Sequence, residues 1–126
     1  MADAVQFNLE KGAGSKLVED YSTGRVTIDG QTYTESLVLL PDRVLENWPI
    51  ASSADLHIAL LEEAIAAEPE VLLLGTGKTQ AFPSIELMKA LAMKNRSMDV
   101  MDSAAACRTY NVLVSEFRQV VLALIM

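Results

Sequence analysis

A chain of 126 residues, 51% hydrophobic and 21% charged, has the balance of one globular domain that buries roughly two thirds of its unfolded surface; a disordered or fibrous chain is excluded. Its net charge of −7 repels phosphate backbones and anionic lipid, which sets aside nucleic acid and membrane surfaces as partners. Cys107 is the only cysteine, so an intrachain disulfide and a cysteine zinc cluster are excluded, and a reducing, cytoplasmic location is expected.

The expected organisation is a single domain over residues 1–126, with 1–24 an irregular lead-in and 25–126 an α/β core. In the lead-in, Val5 to Leu9 can form one short strand, and Gly12, Gly14 and Gly24 mark turns. The N-terminus, with Asp3 and Glu10, lacks the apolar core of a secretory signal and is not Arg-rich, and the late apolar run Val120 to Met126 is too short to span a bilayer.

Arg25 to Ile28 and Gln31 to Thr34 alternate polar and apolar residues around Asp29-Gly30, the preferred pair for a two-residue type I′ turn, which predicts a hairpin. Ser36 to Leu40 follows as a strand whose unbroken Leu-Val-Leu-Leu predicts burial on both faces, ended by Pro41. Asp42 to Ser53 reads as a loop carrying Trp48-Pro49.

From Ala54 the apolar spacing turns helical. Ile58, Leu61 and Ile65 share a stripe widened by Leu56, Leu60 and Ala64, with Ser53 as N-cap and Pro69 as the stop. Val71 to Leu74 is a second fully apolar strand ending at Gly75. Pro83 introduces a helix over Ser84 to Lys94, and Ser97 to Met101 reads as a third inner strand. Asp102 caps a helix running to about Ser115, with Ala106, Tyr110, Leu113 and Phe117 on its inner stripe, and Gln119 to Ile125 is the last strand. Strands alternating with helices after a hairpin predict a three-layer α/β domain: a central, mixed and largely parallel sheet flanked by helices, with an N-terminal β-hairpin element.

In such sheets ligands sit beyond the carboxyl ends of the strands, which directs attention to the Gly75 loop and the Asp102 turn. Charge agrees: residues 1–70 carry 4 basic and 13 acidic side chains (net −9), whereas residues 71–126 carry 6 basic and 4 acidic ones (net +2). Gly75-Thr76-Gly77-Lys78-Thr79 imitates a nucleotide loop but fails its spacing. Leu72 stands where a P-loop needs its first glycine, and Gln80 stands at the third glycine of a dinucleotide fingerprint. A looser use is an anion nest of backbone N–H groups beside Lys78.

Met101-Asp-Ser-Ala-Ala-Ala-Cys-Arg-Thr-Tyr-Asn111 is the densest cluster. Three alanines permit close packing, and Arg108, Thr109, Tyr110 and Asn111 then crowd four hydrogen-bonding side chains into little more than a turn. Arg108 and Asn111 share a face and can hold a carboxylate or a protein backbone, serving either a site or a clamp onto the Gly75 loop. The candidate binding cleft is therefore Gly75, Thr76, Gly77, Lys78, Asp102, Arg108, Thr109 and Asn111, with no catalytic set, no metal ligands and no cofactor expected. Cys107 reads as a buried inert thiol, His57 as a packed histidine in an apolar arc, Asp102 as an N-cap rather than half of a carboxylate dyad with Asp99, which lies on a different strand face from Met98 and Val100, and Lys94-Asn-Arg96 as a solvated helix end and turn.

Tyr33-Thr-Glu-Ser36 leading to Pro41, Gly75-Thr-Gly77 with Phe82-Pro83, and Met101-Asp102 followed by Ala105-Ala-Cys-Arg-Thr-Tyr-Asn111 and Glu116 together carry a resemblance. From about residue 20 onward the chain resembles a family of unknown function that includes mitochondrial complex I assembly factor three and an adipogenesis-associated cytosolic protein. The resemblance implies a three-layer α/β fold and a non-enzymatic protein-interaction or assembly role with a protein partner. A small-molecule or anion-binding protein, an enzyme included, is the alternative. The chain departs from many of these relatives at Ser22 and Phe117, where glycine is common, and at Ser103, where threonine is common.

Overall fold

The structure, a computed structural model, describes residues 5–6 and 16–126. Strands β1 (Val5–Gln6), β2 (Val18–Ser22), β3 (Arg25–Ile28) and β4 (Gln31–Tyr33) form an antiparallel sheet in the order β1-β2-β3-β4. The expected hairpin is its β3–β4 half. Asp29 and Gly30 both take left-handed φ, +51° and +82°, as a type I′ turn requires. The lead-in is more regular than expected, because Val18–Ser22 is a strand. Its alternation is hidden by Glu19 and Asp20 and by a bulge between Val18 and Asp20. Of the expected Val5 to Leu9 strand, Val5–Gln6 is β1, and residues 7–9 lie outside the described residues.

The larger sheet contains β5 (Leu37–Leu39), β6 (Val44–Leu45), β7 (Val71–Gly75), β8 (Asp99–Met101) and β9 (Val120–Leu124) in the order β6-β5-β9-β7-β8. β9 runs parallel to β7 and antiparallel to β5, which makes the sheet mixed. β8 is an edge strand rather than the inner strand expected, and its partly exposed residues reflect that. The apolar runs of β5, β7 and β9 divide their side chains between two cores. Leu37, Leu39, Leu73, Leu122 and Leu124 meet the small sheet and α3 (Ser103–Ser115) on one face. On the other, Val38, Leu72, Leu74, Val121 and Ala123 meet Trp48, Leu61, Ala64 and the α2 (Ile85–Met93) residues Leu87 and Leu91. Period-two alternation within an all-apolar strand thus serves both faces.

The helix expected from Ala54 to Pro69 is broken. Ser53–Asp55 and Ile58–Leu61 are 3-10 turns, and only α1 (Glu62–Ala66) is α-helical. Leu56 and Leu61 are both buried, yet five positions along one helix would set them about 140° apart, too far for one stripe. An extended residue at Leu56 resolves the conflict, and the cap is Ser52, whose hydroxyl accepts the Ala54 N–H at 3.1 Å, instead of Ser53. His57, expected to be packed, is exposed.

α2 begins as the sequence predicts, with the Ser84 hydroxyl accepting the Leu87 N–H. α3 ends two residues before Phe117, the last residue of its expected inner stripe. Phe117 N–H donates to the Val114 carbonyl and Arg118 N–H to that of Leu113, a Schellman closure with Phe117 at its left-handed position (φ +63°). The Phe117 ring is 72% exposed, so it does not join the stripe, and its left-handed backbone is one that favours glycine.

Candidate functional site

β7 and α3 meet at Gly75. A Cβ on Gly75 would lie 2.7 Å from Leu124 Cδ1, 2.9 Å from Ser103 Oγ and 3.0 Å from Ser103 Cα, so this strand end admits only glycine if the first residue of α3 is to pack against it. Ser103 is fully buried. Its hydroxyl accepts the Gly77 N–H at 2.8 Å and donates to the Ile125 carbonyl at 3.0 Å, while its own N–H donates to the Gly77 carbonyl at 2.8 Å. Ile125 N–H in turn donates to Gly75 C=O at 2.9 Å. One hydroxyl therefore ties the β7 loop, the α3 start and the end of β9 into a closed set.

Thr76 and Asp102 are similarly engaged. Thr76 N–H donates to the Met101 carbonyl, and its hydroxyl donates to Thr79 C=O at 2.6 Å and accepts the Ala81 N–H at 3.0 Å. Asp102 caps α3 as predicted, its Oδ1 accepting the Ala105 N–H at 2.9 Å. The N–H groups of Thr76 and Gly77, which an anion nest would turn toward a ligand, are already donated to protein oxygens. Lys78 is exposed at the loop tip.

Farther along α3 the polar cluster resolves into two directions. Asn111, buried, pairs its carboxamide with the backbone of Val18: Oδ1 accepts the Val18 N–H at 3.0 Å, and Nδ2 donates to the Val18 carbonyl at 2.7 Å. The side chain thus satisfies the edge of β2 beyond the residues that β1 covers, as a neighbouring strand would. Tyr110 Oη donates to the Lys16 carbonyl at 2.7 Å, and burial raises this phenol's pKa. Together these two side chains dock the small sheet onto α3. Arg108 points the other way. It is exposed and makes no hydrogen bond or ion pair among the described residues, so the clamp onto the Gly75 loop, one of the two readings of Arg108, is made by Ser103 instead. Thr109 is partly buried, its hydroxyl 3.5 Å from Met101 Sδ.

Cys107 is fully buried, and burial pushes its thiol up to about 12, against the opposing pull of Arg108. A thiol so placed stays protonated and is a poor nucleophile. Tyr21, in the same core, has its phenol pKa raised by burial, with nearby Ser103 acting in the opposite direction. Arg96, expected to be solvated, donates to the Pro69 carbonyl at 2.7 Å. Among the described residues no group of three His, Cys, Asp or Glu side chains could hold a metal ion, and no helix is long and apolar enough to cross a membrane.

The sequence reading missed Ser103, and it missed Ser36. The latter hydroxyl donates to Ile50 C=O and accepts Met126 N–H, both at 3.0 Å, while Ser36 C=O accepts Trp48 N–H at 2.8 Å. A serine opposite a strand-ending glycine was the available signal for the first. For the second, the partners are separated along the chain, and no local spacing marks them.

The family model described as a protein of unknown function (DUF498/DUF598) matches residues 18–125. The chain belongs to this family. It is 35% identical over 115 residues to the 13 kDa major membrane protein of Francisella tularensis subsp. holarctica, covering 88% of this chain and 91% of that one. With the zebrafish (Danio rerio) NADH dehydrogenase [ubiquinone] 1 alpha subcomplex assembly factor 3 it shares 33% identity, over 97% of this chain and 71% of the relative. The crystal structure of a Bordetella parapertussis protein, 33% identical, superposes with a TM-score of 0.81 over 90% of this chain and 97% of that one. The family resemblance read from the sequence is thus established, and the mixed α/β architecture is shared with solved relatives.

Proposed function

We propose that this DUF498/DUF598 chain is a non-enzymatic protein-interaction or assembly domain acting in the cytoplasm. The observation that carries the reading is the inward use of polar groups where a ligand cleft was expected. Ser103, Thr76, Asp102, Tyr110 and Asn111 each bond to backbone of this same chain. What α3 leaves outside is a surface, with exposed Arg108 and Val112 on one stripe and Phe117 beyond its end. The similarity to an assembly factor supports the same reading, and a free, buried Cys107 suits a reducing compartment. The alternative of an anion-binding loop meets Thr76 and Gly77 donors that are already engaged.

Native mass spectrometry of the chain, gently isolated from cells that express it, tests this. A protein companion at fixed stoichiometry is expected. A small-molecule adduct that disappears in Lys78→Ala would contradict the proposal and restore the ligand reading.

A further inference from the structure

Away from the Gly75 junction, two adjoining grooves of about 520 and 140 Å³ share Glu35 and Asn47. One runs along Thr32, Tyr33 and Thr34 opposite Glu46; the other is bounded by Trp48, Pro49, Ile50 and Asp55. We propose that this double groove is a docking site for an extended, lysine- or arginine-bearing segment of a partner protein, which adds as a further strand to the free edge of β4. The inference rests on the interaction-domain reading and names its partner's chemistry.

Backbone geometry supplies the first argument. β4 is the last strand of its sheet. The two-residue turn makes Ile28 and Gln31 a hydrogen-bonded pair, so Thr27 and Thr32 form the next, non-bonded pair. The N–H and C=O of Thr32 therefore point away from β3, along the groove, and are unpaired among the described residues. An unpaired edge beside a concavity is the arrangement that strand addition uses.

Rigidity is the second. The far wall is fixed before any partner arrives. Trp48 Nε1 donates to Leu60 C=O at 2.9 Å, and Ser36 binds both Trp48 and Ile50 through the bonds described above. A preformed groove lowers the ordering cost of binding.

Charge decides the occupant. Glu35, Glu46 and Asp55 are exposed, and none forms an ion pair among the described residues. Glu46 raises the pKa of Tyr33, after the larger effect of burial, which places its negative charge on the groove. Lys16, whose charge also reaches Tyr33, is paired with Asp29 at 3.2 Å. A cationic segment complements this rim. A second copy joined β4 to β4 would bring the same carboxylates together and is disfavoured by like charge.

The test is an NMR titration of the labelled full chain with a capped eight-residue peptide alternating valine and lysine, and with its valine–glutamate counterpart. The lysine peptide is expected to move the amide signals of Thr32, Thr34 and Asn47, with affinity falling as salt rises, and the glutamate peptide to leave them in place. Glu46→Lys and Thr32→Pro should each weaken binding about tenfold. Proline at 32 blocks strand addition without removing a backbone bond to β3, and Thr32→Val, which likewise loses the 3.1 Å hydroxyl contact with Thr27 but keeps the N–H, should bind like the wild type. Binding unchanged in both weakened variants, shifts centred elsewhere, or a dimer abolished by Thr32→Pro would overturn the proposal. A companion protein that persists on the Glu46→Lys, Thr32→Pro chain would overturn docking at this groove and leave the interaction-domain reading intact.

Discussion

At the Gly75 junction, Ser103, Thr76 and Asp102 turn every described hydrogen bond inward, toward loop and helix backbone. Beside β4, Glu35, Glu46 and Asp55 stand on the surface with no such partners among the described residues. The first region is the denser in polar residues and glycine, and it holds the β7 loop, the start of α3 and the end of β9 together. The second is plain in sequence and keeps its groups available. Polar density marks a place where backbone must be satisfied as readily as a place where a ligand binds, and only the direction of the hydrogen bonds separates the two.

Substitutions at the junction should break the fold, and substitutions at outward groups should not. The largest effect is expected for Gly75→Ala, whose Cβ would meet both Leu124 and the Ser103 backbone; a loss of about 3 kcal/mol should appear in urea unfolding. Asn111→Ala strips the partners from a buried N–H and C=O of Val18, and a loss of about 2–3 kcal/mol is expected by the same assay. Phe117→Gly should act in the opposite sense. It relieves a left-handed non-glycine residue whose ring lies in solvent, and a gain of about 1 kcal/mol should be visible as a raised Tm. Arg108→Ala removes an exposed side chain and should leave stability within about 0.5 kcal/mol, so a larger loss would show that Arg108 belongs with the inward-facing set.

The legible parts of the fold were those written in local periodicity. Asp29-Gly30 announced a type I′ turn, Asp102 and Pro83 announced helix starts, and the unbroken apolar run at β5 announced a strand buried on both faces. Tertiary demands decided the rest. The 54–66 segment has a helical stripe, yet burying Leu56 and Leu61 together forces a break that no propensity encodes. β2 was missed because Glu19, at the bulge, and the adjacent Asp20 interrupt the alternation. In the candidate site, composition drew attention to side chains whose partners it could not supply. Asn111 and Tyr110 stood out by composition, but their partners, Val18 and Lys16, are more than ninety positions away.

Amide hydrogen exchange of the native chain tests the contrast most directly. The Gly77 amide, bonded to Ser103, and the Ser103 amide, bonded to Gly77, should exchange slowly, whereas the Thr32 amide on the free edge of β4 should exchange fast. Fast exchange at Gly77 together with protection at Thr32 would contradict the account, because it would make the junction the open surface and the β4 edge the closed one.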